Sequence, residues 1–290
     1  MSADWQSRFS PEVVERYWHD GVVHLPELVE QPWLDLIGEG ITRILRGSSR
    51  RSVFFDGDPG QFIDTTRNFD LTPEFQRLLY DSALADMASS VLRSDRVWLL
   101  FDHVFVKDGG AAGNATRRTP WHQDLPYWPV AGSQLMSMWI TIDPIPQREC
   151  LEFIRGSHRE TIYDGFDPKR VNEDPTLPFY GEGFPRLPDI EADRDSWDIV
   201  SYNIEPGDVV LLHPGVIHGG GQTSVGRRRR TLSVRFFGED VVFADRPKTR
   251  PAAPYTPGLE LTLKPGDPLR HPYYPRLRPL PPNQRAEYFE

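Results

Sequence analysis

Glu205-Pro206-Gly207-Asp208-Val209-Val210-Leu211-Leu212-His213-Pro214-Gly215-Val216-Ile217-His218-Gly219-Gly220 runs from a turn through a strand to a second bend. A Pro-Gly-Asp turn delivers an apolar run that reads as a buried strand, and the strand delivers a histidine to a glycine-rich bend. Runs of the same texture lie upstream and downstream. Val97–Val106, Leu135–Ile142, Leu151–Ile154, Val209–Leu212 and Thr231–Phe237 are all short, apolar and separated by Gly, Pro and Asp. Many short strands with one long excursion predict a mainly β chain built as a cupin-like jelly roll, with flanking α-helices outside it.

The helices fall in residues 1–95. Ser10-Pro11-Glu12 reads as an N-cap with proline at the first helical position, opening a helix through Trp18. Apolar Trp33, Leu34, Ile37, Ile41 and Leu45 recur at helical spacing. A third helix is expected after Thr72-Pro73-Glu74, running through Leu78, Leu79, Leu84, Met87 and Val91. Residues 96–245 form the expected jelly-roll core, with an insertion at about 160–200 rich in Pro, Asp and Glu. Residues 246–290 are Pro-rich and read as an extended surface wrap. The chain is taken as one domain of 290 residues.

Composition narrows the function. A hydrophobic content of 38% supports a real core, and a net charge of −9 argues against nonspecific nucleic-acid binding. The single cysteine, Cys150, excludes an internal disulfide framework and fits a reducing compartment. A polar N-terminus and no apolar run of spanning length make a soluble, cytoplasmic protein the expectation, with no membrane partner. Oligomeric state is not readable.

Trp121-His122-Gln123-Asp124 carries the chemistry. On an extended strand, His122 and Asp124 share a face because side chains alternate with period two. An imidazole and a carboxylate so placed are two corners of a facial metal triad, which a histidine from a distant strand would complete. His213 and His218 both compete for that corner. Their five-residue offset would turn them to opposite sides of one continuous strand, so only one reaches the metal. Strand alternation also puts Arg229, Thr231, Ser233 and Arg235 on one face, with Leu232, Val234 and Phe236 on the other. Likewise Phe101, His103, Phe105 and Lys107 share a face, and polar residues among these aromatics suggest a lined cavity.

The ordered set Thr119-Pro120-Trp121-His122-Gln123-Asp124 with Tyr127, then Trp139, Arg155-Gly156-Ser157-His158, His218 and a following arginine resembles the phytanoyl-CoA dioxygenase family. The resemblance runs from about Val97 to Phe237, and more weakly to Asp20-Gly21-Val22-Val23. It implies a double-stranded β-helix and a dioxygenase using Fe(II), 2-oxoglutarate and O2 to hydroxylate a small molecule. By that resemblance His122, Asp124 and His218 are the iron ligands, and Arg229 anchors the far carboxylate of 2-oxoglutarate. His103, Thr119 and Trp139 are implied co-substrate contacts. The family often has serine where Gly220 stands, so the hydroxyl contact is either missing here or supplied by Thr231 or Ser233. Lys107, Tyr127, Trp128 and Arg235 are candidate substrate contacts, with Tyr127 and Trp128 expected at the pocket mouth. Asp124 fills the position that related halogenases leave for chloride, which disfavours halogenation. His158 is expected as a structural brace. The competing readings are a non-catalytic jelly roll and a metal protein independent of 2-oxoglutarate.

Overall fold

The computed structural model describes residues 5–47, 52–53, 61–109, 115–168, 170, 174, 176–247 and 262–280. Five helices belong to the N-terminal part: α1 Trp5–Arg8, α2 Pro11–Asp20, α3 Gln31–Arg46, α4 Pro73–Asp81 and α5 Leu84–Leu92. The strands in that part are β1 Val22–Leu25, β2 Ser52–Val53 and β3 Gln61–Thr66. Then come β4 Val97–Asp108, β5 Thr119–His122, β6 Val130–Ala131, β7 Leu135–Thr141 and β8 Leu151–Ile154. The last are β9 Ile199–Ser201, β10 Val209–Leu212, β11 His218–Gly220, β12 Arg228–Phe237, β13 Val242–Phe243 and β14 Arg276–Arg278.

All strand pairs are antiparallel. The large sheet runs β1-β10-β7-β12-β4-β3-β2, with β14 also on β4, and the small sheet runs β5-β11-β8-β9. Alternation along the large sheet divides its two faces. Val104, Leu232, Val234, Met138, Ile140, Val209 and Leu211 pack with Tyr17, Ile37, Ile41, Phe75, Leu78 and Met87 of the helices. On the inner face Val22, Trp139, Val210 and Leu212 meet Phe153, Cys150 and Val200 from the small-sheet side. The result is a two-sheet sandwich with a helical layer over one sheet, so the predicted fold class holds.

Three differences from the sequence reading have physical causes. The expected third helix is two, because Ser82 is extended (φ −91°, ψ 168°) and the Leu84 N–H donates to its Oγ at 3.3 Å. Val22-Val23, outside the expected strands, begins edge strand β1 on β10. Gln61–Thr66, inside the segment expected to be helical, is a strand because it pairs with His103–Asp108 on the side of β4 opposite β12. The buried Asp102 carboxylate helps seat this edge, accepting the Asn68 and Phe69 N–H groups at 3.0 and 2.8 Å. Ser10 does stand at the N-cap of α2, but without a side-chain cap bond. In the C-terminal segment, Leu269, Tyr274 and Leu277 are buried and β14 joins the large sheet, while 248–261 and 281–290 lie outside the described residues. No described helix is long and apolar enough to cross a membrane.

The turn out of α2 shows how tightly helix and sheet are joined. Gly21 is left-handed (φ 73°), and its N–H donates to Tyr17 O at 2.9 Å. A Cβ there would lie 2.4 Å from both His158 Nδ1 and Val216 Cγ2. Gly21→Ala is therefore expected to cost about 2 kcal/mol of stability through backbone strain and overpacking. Urea unfolding checks this, and an unchanged midpoint would contradict the close packing.

Candidate metal centre

The two imidazoles are brought together by strand pairing. In the β11–β5 ladder His218 stands opposite His122, and the ring centroids lie 4.2 Å apart. Each ring has its Nδ1 next to the carbonyl two residues back, His122 to Pro120 O at 2.9 Å and His218 to Val216 O at 3.0 Å. Donation from Nδ1–H to these carbonyls leaves each Nε2 lone pair directed inward, the tautomer a metal ligand requires. Burial, and secondarily the neighbouring His218, lowers the His122 pKa to about 3, so the ring is neutral near pH 7.

Asp124 arrives differently from the sequence expectation. β5 ends at His122, and Asp124 has helical backbone angles (φ −74°, ψ −34°) at the entrance to a 3₁₀ turn over Leu125–Tyr127. The chain turns because buried Gln123 is tied on the other side. Its Nε2 donates to Gly215 O at 2.7 Å, and its Oε1 accepts from the Tyr163 N–H at 2.8 Å. The Asp124 N–H also donates to Pro214 O at 2.9 Å. The carboxylate nevertheless converges on the histidine pair, with Oδ1 3.7 Å from His122 Nε2. One ligand atom from each of His122, Asp124 and His218 lies within 4.8 Å of the others. Burial pushes the Asp124 carboxyl up, but Arg235 above all pulls it down, and its pKa ends below the usual value.

His213 is excluded from this centre by the turn between β10 and β11. Its Nδ1 accepts from the Gly215 N–H at 3.0 Å, and its ring packs 5.0 Å from His158. His158 in turn reaches Trp18 O at 3.2 Å, the bracing position expected of it.

The inner face of the large sheet supplies the other polar residues. His103, Ser233 and Trp139 lie side by side across β4, β12 and β7, and Lys107 pairs with Arg229. Arg229 is buried, which lowers its pKa to about 10. Its Nη1 donates to Glu149 O at 3.0 Å, and its Nε has no partner among the described residues. A Cβ on Gly221 would stand 3.1 Å from the Arg229 Nη1, so glycine leaves the approach to the guanidinium open. Lys107 is 2% exposed and donates to Gly221 O at 3.0 Å and Thr119 Oγ1 at 3.1 Å. It is thus a buried cation beside Arg229 rather than a group at a pocket rim. His103 is bonded through Nε2 to Asp64, a partner the sequence reading missed along with strand β3.

The aromatic residues after the ligands also separate. Tyr127 faces His122 edge-on at 6.2 Å and donates its hydroxyl to Phe166 O at 2.8 Å. Phe166, from the expected insertion, stands edge-on to His122 at 5.2 Å and was not anticipated. Trp128, expected at a pocket mouth, is 3% exposed and packs edge-on against Phe101. Trp128 and its neighbour Val130 join a buried cluster with Leu135, Phe237 and Phe243, which draws the ring inward. Trp139 is also buried, packed between the sheets with Val22, Val210 and Phe153.

Residues 17–231 match the family described as Phytanoyl-CoA dioxygenase (PhyH). A human protein named phytanoyl-CoA dioxygenase, peroxisomal, is 31% identical over 139 residues, covering 46% of this chain and 38% of the human one. A probable phytanoyl-CoA dioxygenase of Caenorhabditis elegans is 24% identical over 209 residues, covering 70% of this chain and 62% of its own. The matches therefore span less than two thirds of those relatives. Among solved structures, the epimerase SnoN in complex with Fe3+, alpha ketoglutarate and nogalamycin RO aligns with a TM-score of 0.70 at 19% identity, covering 92% of this chain and 98% of that one. EctD from S. alaskensis with 2-oxoglutarate and 5-hydroxyectoine aligns with a TM-score of 0.63 at 18% identity, covering 89% and 88%. These likenesses show a shared fold.

Buried neutral histidines carry a pH cost. Burial, followed by His158, lowers the His213 pKa to about 3. The unfolded ring titrates near its ordinary value of about 6.5, so between that value and about 3 the unfolded state holds the extra proton. Stability contributed by this group falls as pH drops through that window. His213→Gln is expected to flatten the acid limb of a urea-unfolding pH profile by about one proton. An unaltered slope would place the acid sensitivity elsewhere.

Proposed function

The chain belongs to the phytanoyl-CoA dioxygenase family, and we propose that it is an Fe(II)/2-oxoglutarate-dependent dioxygenase that hydroxylates an unactivated C–H of a small organic molecule. The observation that carries this reading is the pairing of two sites, one on the small sheet and one on the large sheet that faces it. A two-histidine, one-carboxylate cluster fits Fe(II) with open positions. Beside it, the buried Arg229 guanidinium has no carboxylate within ion-pair distance among the described residues, and the adjacent glycine leaves it room for one. A metal protein independent of 2-oxoglutarate has no use for the second site.

In this reading His122, Asp124 and His218 would hold the Fe(II). Arg229 orients 2-oxoglutarate by its far carboxylate, and Lys107 adds positive charge close by through its neighbours Gly221 and Thr119. The bound group supplies the oxidising chemistry, with succinate and CO2 as the co-substrate products. The chain's own work is to position the target carbon and to exclude water. Tyr127, Phe166 and Phe179 form a continuous aromatic wall against His122 suited to both tasks.

The substrate reading stays with a small molecule. The names of the curated relatives point to a CoA thioester, but a chain of net charge −9 offers no long-range attraction to such a polyanion. The aligned epimerase is a reminder that one fold hosts several outcomes. We further read the chain as a single oxygenase unit of the cytoplasm, supported by the helices sharing one core with the large sheet and by a lone, buried thiol at Cys150.

Anaerobic addition of 2-oxoglutarate to the Fe(II) protein is expected to give a saturable visible charge-transfer band. His122→Ala should abolish it. Arg229→Ala should raise the 2-oxoglutarate needed for half-saturation by about 100-fold, since a buried charged contact is worth roughly 3 kcal/mol. The exposed Arg228→Ala should leave it unchanged. Metal binding without a band would support the 2-oxoglutarate-independent reading; equal effects of the two arginine variants would mean the anchor is elsewhere.

A further inference from the structure

We propose that Arg235 is a positioning residue for the metal centre, reaching from the large sheet to hold the outer oxygen of Asp124 so that the carboxylate turns a single oxygen toward the histidines. The inference rests on the reading of Asp124 as a metal ligand.

Asp124 lies past the end of its strand, in a turn, so backbone pairing does not fix its rotamer as it fixes the two histidines. Its two oxygens face different groups. Oδ1 looks toward His122, while Oδ2 is 3.4 Å from Arg235 Nη2. Arg235 is 4% exposed, and Asp124 is its ion-pair partner among the described residues. Its guanidinium sits over the Phe101 ring at 4.6 Å and the Trp128 ring at 5.4 Å. Nε and Nη1 have no hydrogen-bond partner among the described residues, so this cation is not placed to maximise its own bonding. It is placed by the aromatic slot, with one corner offered to the carboxylate.

The backbone is shaped for this placement. The β12–β4 ladder slips immediately after Arg235, which pairs with Phe101 while Phe236 pairs with Leu99. The extra residue, Leu100, lies on β4, so the bulge twists β4 next to Phe101, the ring under the guanidinium. Trp128 follows Asp124 by four residues, so the slot clamps both flanks of the 3₁₀ turn to the large sheet. A cation on the non-ligating oxygen biases a carboxylate against bidentate binding, which would use up one of the open positions.

The test is metal affinity rather than turnover. Anaerobic Fe(II) titration, with Co(II) visible spectra as a second readout, is applied to wild type, Arg235→Met, Arg235→Lys, Asp124→Ala and the Asp124→Ala/Arg235→Met double variant. Arg235→Met is expected to weaken metal binding 10- to 100-fold and to alter the Co(II) spectrum. Arg235→Lys, which keeps the charge but loses the planar fork, should recover part of that loss. In the Asp124→Ala background, Arg235→Met should cause no further loss, since the arginine acts through the carboxylate. Wild-type affinity and spectrum in folded Arg235→Met would overturn the proposal, as would additive losses in the double variant. If Arg235→Met does not fold, Arg235→Lys decides: about a 10-fold loss supports the role, and wild-type affinity overturns it. Failure of the wild type itself to bind metal would instead sink the reading of the triad.

Discussion

Antiparallel pairing of β5 with β11, in a register that sets His218 opposite His122, is the constraint on which the rest of the centre depends. Two imidazoles on neighbouring strands can share an ion only if their ring nitrogens face the same side. The i−2 carbonyl next to each Nδ1 meets that requirement without help from distant side chains. The orientation is therefore built into the small sheet itself. Gln123 turns the chain immediately afterwards, bringing Asp124 around to the same side.

The large sheet depends on a second regularity. Every inward position on β12 from Arg229 to Arg235 is polar, while Leu232 and Val234 between them are apolar and face the helices. A sheet packed on both faces ordinarily buries apolar residues on both. Here the inner face holds Arg229, Thr231, Ser233 and Arg235, with Lys107 and His103 on the neighbouring strand. Burying three cations costs desolvation that packing does not return. Such a surface is understandable as a site for anions and metal-bound ligands, and the helical layer supplies compensating stability through its large apolar core.

Local pattern was a good guide to some features and a poor guide to others. The five strands expected from apolar runs all occur, and the face assignments on β4 and β12 follow simple alternation. Gln61–Thr66 escapes local pattern because it is a short strand whose existence depends on the side of β4 that faces away from β12. With it went Asp64, the partner of His103, although the Phe62-Ile63 and Thr65-Thr66 pairs carry a β-branched signal. Trp128 was placed at a mouth from its nearness to the metal motif. The structure turns it inward because Val130 beside it joins a buried cluster with Leu135 and Phe243.

By itself, the sequence determined which chemistry this protein can hold: a strand-borne histidine, a carboxylate two residues on, a distant histidine before glycines and an arginine on a polar strand face. Those are properties of residue type and period, and they survive in any reading of the chain. Strand alternation alone leaves His213 and His218 in competition, and packing separates them, since a turn between β10 and β11 sends His213 toward His158 and His218 toward His122. Only the tertiary structure decided that Asp124 is held from the opposite sheet by Arg235, 111 residues away. The reason is physical: alternation specifies a face within one strand, whereas convergence between strands depends on register, bulges and turns that are settled only when the two sheets pack.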